Sequence, residues 1–106
     1  MTYSIGIATT EQRMQAHNNS FESWGKGRSI EEYIQACMNS KRYERAEWWV
    51  VHQQEEVISS LAVFPLHYLL DGVVRKGFGI GSVHTKMNMR GRGFANKLCR
   101  HTIKAV

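Results

Sequence analysis

Two glycine-rich segments near the C-terminus constrain the fold more than any other feature of the sequence. In the first, Gly77–Thr85, every second residue from 77 to 81 is glycine, so one face of the predicted strand carries no side chains there. A ligand or another backbone could approach that face, and a bulge or bend explains the glycines equally well. The second segment, Arg90–Ala95, contains two further glycines and lies between this strand and a helical pattern. The chain must therefore fold with a strand, a tight glycine loop and a helix in succession.

The remaining sequence alternates between helical and strand-like patterns. We predict an α+β fold, with a mainly antiparallel sheet of about four strands, two helices after the first strand and one C-terminal helix. Capping boxes, in which a Ser or Thr is followed three residues later by Gln or Glu, mark two helix starts. The elements are a strand at 3–8, helices starting after Thr9 and Ser29, strands at 47–52 and 57–64, a turn at Asp71-Gly72, and a helix from Phe94. Residues 1–106 are expected to form a single domain.

The first predicted helix has apolar or aromatic residues at helical spacing. We expect this stripe to face the core, and it consists of Met14, His17, Phe21 and Trp24. In the second predicted helix the corresponding stripe is Ile30, Tyr33, Ile34, Cys37 and Met38.

Charge is distributed very unevenly along the chain. All nine acids lie between Glu11 and Asp71, whereas residues 73–106 contain eight Lys or Arg and no acid. This distribution suggests that the C-terminal third contacts an anion, although a solvated helix face is an equally good explanation of the charge alone. No recognised nucleic-acid motif accompanies the positive charge, so we expect no nucleic-acid partner.

The loop Arg90–Ala95 has the composition of an anion-binding turn. Its glycines allow successive amide N–H groups to point at one spot, and the unpaired amides and positive dipole end of the next helix add to them. Such a cradle suits a diphosphate, with Arg90 and Arg92 supplying charge. The loop is not a P-loop, because no G-x-x-x-x-G-K-[ST] sequence occurs. It is also a poor dinucleotide fingerprint, because Asn96 stands where a glycine or alanine is needed and no acid follows.

The R-x-x-G-x-A pattern formed by Arg90, Gly93 and Ala95 resembles the acetyl-CoA motif of the GNAT N-acetyltransferases. The preceding strand and the following helix with Leu98 fit the same motif, and the order of predicted elements is similar over the whole chain. The resemblance implies an enzyme that transfers acetyl from acetyl-CoA, its co-substrate, to a primary amine of a small molecule or a protein.

The resemblance also implies roles for individual residues. The backbone of Val83, His84 and Thr85 would pair with the pantetheine arm of acetyl-CoA. The pyrophosphate would be held by the loop and the first helical turn, which comprise Arg90, Gly91, Arg92, Gly93, Phe94, Ala95 and Asn96. The motif departs from the family pattern at Met87 and Met89, where proline and an aromatic or His residue are frequent.

Family domains are roughly one and a half times as long as this chain. The resemblance therefore implies that the chain ends after the cofactor-binding helix, before the strand and the tyrosine acid that usually complete the site. An alternative function is a truncated module or fragment that binds CoA but has weak or no catalytic activity. An uncovered sheet edge at Gly77–Thr85 could also pair with a second copy of the chain.

The candidates for catalysis and metal binding are few. His84 adjoins the proposed thioester site and is a weak candidate for the catalytic base, although a purely structural strand histidine is the more ordinary interpretation. The five histidines and two cysteines show no metal-ligand spacing, so no metal is expected. We expect reduced cysteines, no membrane-spanning segment and a cytoplasmic protein.

Overall fold

The computed structural model describes residues 2–106 and shows one antiparallel four-stranded sheet in the order β1-β2-β3-β4. Two helices follow β1 and a third follows β4, which confirms the predicted α+β class. The strands are β1 (Ser4–Ile7), β2 (Glu47–Gln53), β3 (Glu56–Leu70) and β4 (Val73–Thr85). The helices are α1 (Thr10–Trp24), α2 (Ile30–Met38) and α3 (Phe94–Ala105), with single 3₁₀ turns at Lys41–Tyr43 and Met87–Met89.

Both predicted capping boxes are present. The Thr9 hydroxyl accepts from the Gln12 amide at 3.1 Å, and the Gln12 side chain accepts from the Thr9 amide at 2.9 Å. Ser29 and Glu32 repeat this arrangement at the start of α2. Each cap satisfies donors that would otherwise lack partners and stabilises its helix by about 1 kcal/mol.

The sheet has a core on each face. On one face α3 packs Phe94 and Leu98 against the sheet, whose contributing residues are Trp49, Val51, Ile58, Leu61 and Val63. On the other face Ala16 of α1 packs on Val50 and Val57. The loop between β4 and α3 therefore connects the sheet to the helix that covers one of its faces.

The predicted core stripe of α1 is wrong at both ends, because Met14 and Trp24 are 40% and 48% exposed. The buried residues of α1 are Ala16, His17 and Ser20. Small side chains let the helix axis approach the sheet, and the Ser20 hydroxyl forms a 2.7 Å hydrogen bond with the Tyr33 hydroxyl of α2. In α2, Tyr33 is the one buried member of the predicted stripe.

Strand β3 is longer than predicted, since it continues from Phe64 through Pro65 to Leu70. Strand β2 begins with Glu47 opposite Val63, so Pro65 lies where β3 pairs with β4 alone. One side of the strand has no partner there, and a residue without an N–H is tolerated at such a position. The predicted turn at Asp71-Gly72 is confirmed, with φ of 51° and 76°, as expected for a tight hairpin.

The glycine face of β4 is covered by side chains of β3. A methyl group added to each glycine would lie 3.0–3.2 Å from a neighbouring side chain, the pairs being Gly77 with Tyr68, Gly79 with Leu66, and Gly81 with Phe64. The glycines thus accommodate large side chains that lean across from the neighbouring strand.

Strand β4 also contains the bulge that was one of the sequence alternatives. Ser82 and Val83 together lie opposite Leu61 of β3, and Ser82 has a φ of 52°. A bulge bends the strand and changes the direction in which the following side chains point. This one separates the glycine-rich half of β4 from its C-terminal end, where the candidate site begins.

Candidate functional site

The loop from Arg90 to Gly93 turns the chain from β4 into α3. Gly91 and Gly93 have φ of 80° and 79°, values that other residues adopt at a cost of about 1–2 kcal/mol. Gly93 occupies the N-cap position of α3 and provides no side-chain cap. Nothing lies within 4 Å of the position of an added Cβ at either glycine, so the backbone there is open to solvent.

A run of backbone amides without a protein partner follows from this geometry. Within residues 2–106 the amide N–H groups of residues 91–96 donate to no backbone or side-chain acceptor, and the first helical bond is Lys97 N–H to Gly93 O at 3.1 Å. The first turn of α3 contains no acid. Six consecutive donors without a protein partner therefore lie at the positive end of a 12-residue helix, an arrangement that favours an anion.

Phe94 anchors the loop rather than lining it. Its ring is 4% exposed and meets the Tyr3 ring edge-on, with centroids 5.4 Å apart. Burial of this side chain fixes the position of the first helical turn relative to the sheet. Ala95 is half-buried, whereas Arg92 and Asn96 are exposed at the loop surface.

The Arg90 side chain connects the loop to β4 and to the end of α1. Its Nε donates to Thr85 O at 2.9 Å, and its Nη2 donates to His84 Nε2 at 3.1 Å. Longer contacts of 3.4 and 3.5 Å reach Ser23 Oγ and Glu22 Oε1. The guanidinium thus holds the loop against β4 and the end of α1. That Arg90 also supplies charge to a bound anion remains a prediction.

His84 is buried at the centre of this cluster. Its ring is 6% exposed, lies edge-on to Trp24 at 5.3 Å and has Nε2 3.3 Å from Ser23 Oγ. Because Arg90 can only donate, Nε2 accepts and the ring proton is on Nδ1. Burial lowers the pKa of His84 and the positive charge of Arg90 lowers it further, while Glu22 acts in the opposite direction. His84 is therefore neutral at pH 7, with its Nε2 lone pair already engaged.

The end of β4 lies at an edge of the sheet, because β4 has β3 as its only neighbour in the part of the chain that the structure describes. The Thr85 hydroxyl bonds to Ser59 Oγ of β3 at 2.8 Å, and the Val83 side chain is 38% exposed. Edge strands present alternate N–H and C=O groups to an extended partner. The 3₁₀ turn Met87–Met89 connects this free edge to the loop with the unpaired amides.

The structure brings together three of the residues singled out from sequence, namely His84, Thr85 and Arg90. It adds Glu22 and Ser23, which the sequence analysis missed. These two residues are 68 and 67 positions from Arg90 and belong to no motif, so no local signal could have identified them.

Among the described residues, His, Cys, Asp and Glu side chains form no group of three that could hold a metal ion. No helix between residues 2 and 106 is both long and apolar enough to cross a bilayer.

The class of protein to which this strand, glycine loop and helix belong is identified by comparison with protein families. Residues 5–106 match the model of the acetyltransferase (GNAT) domain. The chain therefore belongs to the GNAT acetyltransferase family. No curated protein sequence is similar enough to count as a match.

Solved structures support the same fold. A GNAT family acetyltransferase from Brucella melitensis, solved in complex with acetyl-CoA, matches 98% of this chain with a TM-score of 0.67 and 17% identity. Glucosamine-6-phosphate N-acetyltransferase from Arabidopsis thaliana matches 98% with a TM-score of 0.69 and 15% identity. A conserved protein from Enterococcus faecalis V583, described as a "Probable N-Acyltransferase", matches 99% with a TM-score of 0.77 and 14% identity. The chain spans 68%, 74% and 26% of these three proteins, respectively.

Proposed function

We propose that this domain binds acetyl-CoA and transfers its acetyl group to a primary amine of a small molecule or a protein. The observation that carries the proposal is the run of unpaired amides at residues 91–96, next to the free edge of β4. The complex of the Brucella protein with acetyl-CoA supports the choice of coenzyme. In our proposal the amides bind the pyrophosphate, and the backbone of Val83–Thr85 pairs with the pantetheine arm.

In the proposed reaction the neutral amine nitrogen attacks the thioester carbonyl carbon. A C–N bond forms, the C–S bond breaks, and the proton lost by the amine balances the proton gained by the departing CoA thiolate. A backbone N–H at the edge of β4 is suited to stabilise the oxyanion formed on the carbonyl oxygen. Binding at this edge therefore positions the thioester as well as the coenzyme.

One observation favours a second candidate, a domain that binds acetyl-CoA but turns it over slowly. The Nε2 lone pair of His84 accepts from Arg90, so it is not free to remove a proton from an amine. A slow or inactive domain would still bind CoA through the same amides. The two candidates therefore differ in thiol release and not in coenzyme affinity.

The proposal is tested by isothermal titration of acetyl-CoA and desulfo-CoA into the wild type and the Gly93→Asp variant. An aspartate at position 93 places a carboxylate among the amides, where repulsion of a diphosphate amounts to about 1–4 kcal/mol for partly solvated charges. We expect affinity to fall at least tenfold. Gly72→Asp is the matched control, because Gly72 has a similar φ of 76° and equally open surroundings in the β3–β4 turn.

Absence of heat with both coenzymes for the folded wild type would refute the proposal. Unchanged affinity in the folded Gly93→Asp variant would show that the loop acts only as a turn, and an equal loss in both variants would show that the effect is not specific to the loop. Thiol release measured with a panel of amino acids, polyamines, aminoglycosides and peptides then separates an active enzyme from a domain that only binds.

A further inference from the structure

A cavity of about 450 Å³ lies on the glycine face of β4, where its lining includes Gly79 and Gly81. One wall is formed by Lys41 and Arg42 of the 3₁₀ turn and by Arg45, which follows the turn. The other is the hairpin formed by β3 and β4, including Phe64 and Gly81. The cavity is thus a cleft between a basic turn and the β3–β4 hairpin.

The charges that line this cavity are all positive. Lys41, Arg42 and Arg45 contribute to its wall, and no acid does. Within residues 2–106 the two ion pairs involve Lys86 and Arg90, so none of the three cations at the cavity is paired with a carboxylate. Three unpaired cations at one concave site raise the local concentration of anions.

Aromatic rings contact one of these cations, Arg42, at the cavity. The Arg42 guanidinium lies 5.5 Å from the centre of the Tyr43 ring and 5.8 Å from that of Phe64. The same two rings stack on each other with centroids 6.0 Å apart. A guanidinium stacked in this way keeps its N–H edge free for a carboxylate or phosphate.

The turn is also tied to the strand that leads into the candidate coenzyme site. The Tyr43 hydroxyl bonds to Ser82 Oγ in the β4 bulge at 2.8 Å. Gly81, at the cavity, precedes Val83 by two residues, with the bulge residue Ser82 between them. The turn that carries two of the cations is therefore hydrogen-bonded to the strand that leads to the proposed thioester position.

We infer that the acceptor amine carries an anionic group, a carboxylate or a phosphate, which binds Lys41, Arg42 and Arg45. The apolar part of the acceptor lies on Phe64 and Leu66, and its amine extends along β4 toward Val83. This inference rests on the proposed function, because it names the class of substrate for the same site.

The test uses amines that differ only in charge. 4-(Aminomethyl)benzoate is compared with 4-(aminomethyl)benzamide, and phosphoethanolamine with ethanolamine, by titration into protein saturated with CoA and by thiol release with acetyl-CoA. We expect at least one anionic member to bind at least tenfold more tightly than its neutral partner. The first pair reports on a carboxylate and the second on a phosphate.

Arg45→Gln and the double variant Arg42→Gln/Arg45→Gln should reduce that preference to threefold or less without changing acetyl-CoA affinity. Arg75→Gln, which removes an exposed arginine outside the cavity, should retain it. Circular dichroism checks folding, and the single variant remains decisive if the double variant unfolds.

The outcomes separate the two proposals. If acetyl-CoA binds and neither anionic amine is preferred, the inference is overturned while the proposed function stands. A preference that survives Arg42→Gln/Arg45→Gln also overturns it, because the anion is then recognised elsewhere. If acetyl-CoA does not bind, the proposed function fails, and the anion preference is then measured on the protein without CoA.

Discussion

Acidification should destabilise this domain through His17, a histidine of α1 that is 2% exposed. Its ring stacks on Tyr43 at 6.1 Å and meets Trp48 edge-on at 4.8 Å, while Nε2 accepts from Arg13 Nε at 3.2 Å. Burial, and to a lesser extent the charge of Arg13, lowers the pKa of His17 to about 4. The native protein therefore keeps the ring neutral, whereas the unfolded chain protonates it near the ordinary pKa of 6.5.

The stability that depends on this neutral ring is complete above pH 6.5 and is lost as the pH falls toward 4. A folded pKa of about 4 against an unfolded value of 6.5 corresponds to a loss of about 2 kcal/mol at pH 5 and about 3 kcal/mol in total. This is a large share of the ~5–15 kcal/mol by which domains are usually stable.

The measurement is urea unfolding of the wild type and His17→Phe between pH 7.5 and pH 5. Phenylalanine keeps a ring between Tyr43 and Trp48 but cannot be protonated. Between these two pH values the wild type should lose about 2 kcal/mol more than the variant. His84, whose pKa is also lowered by burial, is present in both proteins and cancels.

The control for histidine removal is His67→Phe, because His67 is exposed on β3. Its stability should follow the wild-type pH dependence within about 0.5 kcal/mol. Parallel curves for the wild type and His17→Phe would refute the reasoning, since the ring would then titrate alike in the folded and unfolded states.

Further predictions concern the α3 side of the core, the loop and the sheet edge. Leu98→Ala should lower the free energy of unfolding by about 3 kcal/mol in urea titrations because Leu98 is fully buried, whereas Ile103→Ala, at a 55% exposed position, should change it by less than about 0.5 kcal/mol. Arg90→Gln should speed hydrogen exchange of the Lys97 amide, which donates to Gly93 O at the end of the loop, severalfold, because the side chain no longer holds the loop; equal protection of this amide in Arg90→Gln and the control Arg92→Gln would contradict this. The 106-residue chain should dimerise through the free edge of β4, giving twice the mass of 12.2 kDa in light scattering, and Phe78→Lys should yield monomers. A wild-type monomer at high concentration would exclude such an interface.

Features that depend on a few neighbouring residues could be predicted from the sequence. The capping boxes at Thr9 and Ser29, the turn at Asp71-Gly72 and the glycine loop are each determined by residues no more than a few positions apart. The order of elements followed from these boundaries. The fold class could therefore be inferred, and with it the position of the candidate coenzyme loop between β4 and α3.

Features that depend on packing between distant residues could not be predicted in the same way. The face of α1 that is buried was misplaced, because Ala16 and Ser20 allow close approach to the sheet while larger apolar residues remain at the edge of the contact. The extension of β3 through Pro65 depends on where β2 begins, because β2 does not pair with β3 beyond Val63. The contact of Arg90 with the end of α1 joins residues that are far apart in the chain and that no pattern relates.

Because the strands lie in the sheet in the same order as in the sequence, assembly of the domain can follow synthesis. β2, β3 and β4 form successive hairpins with short connections, so this part can pair as soon as residue 85 has left the ribosome. The face formed by Trp49, Leu61 and Val63 has no cover until Phe94 and Leu98 arrive. Helix α3, which begins at the candidate coenzyme loop, is therefore added after β2, β3 and β4, and the nascent chain exposes an apolar sheet face until this helix has formed.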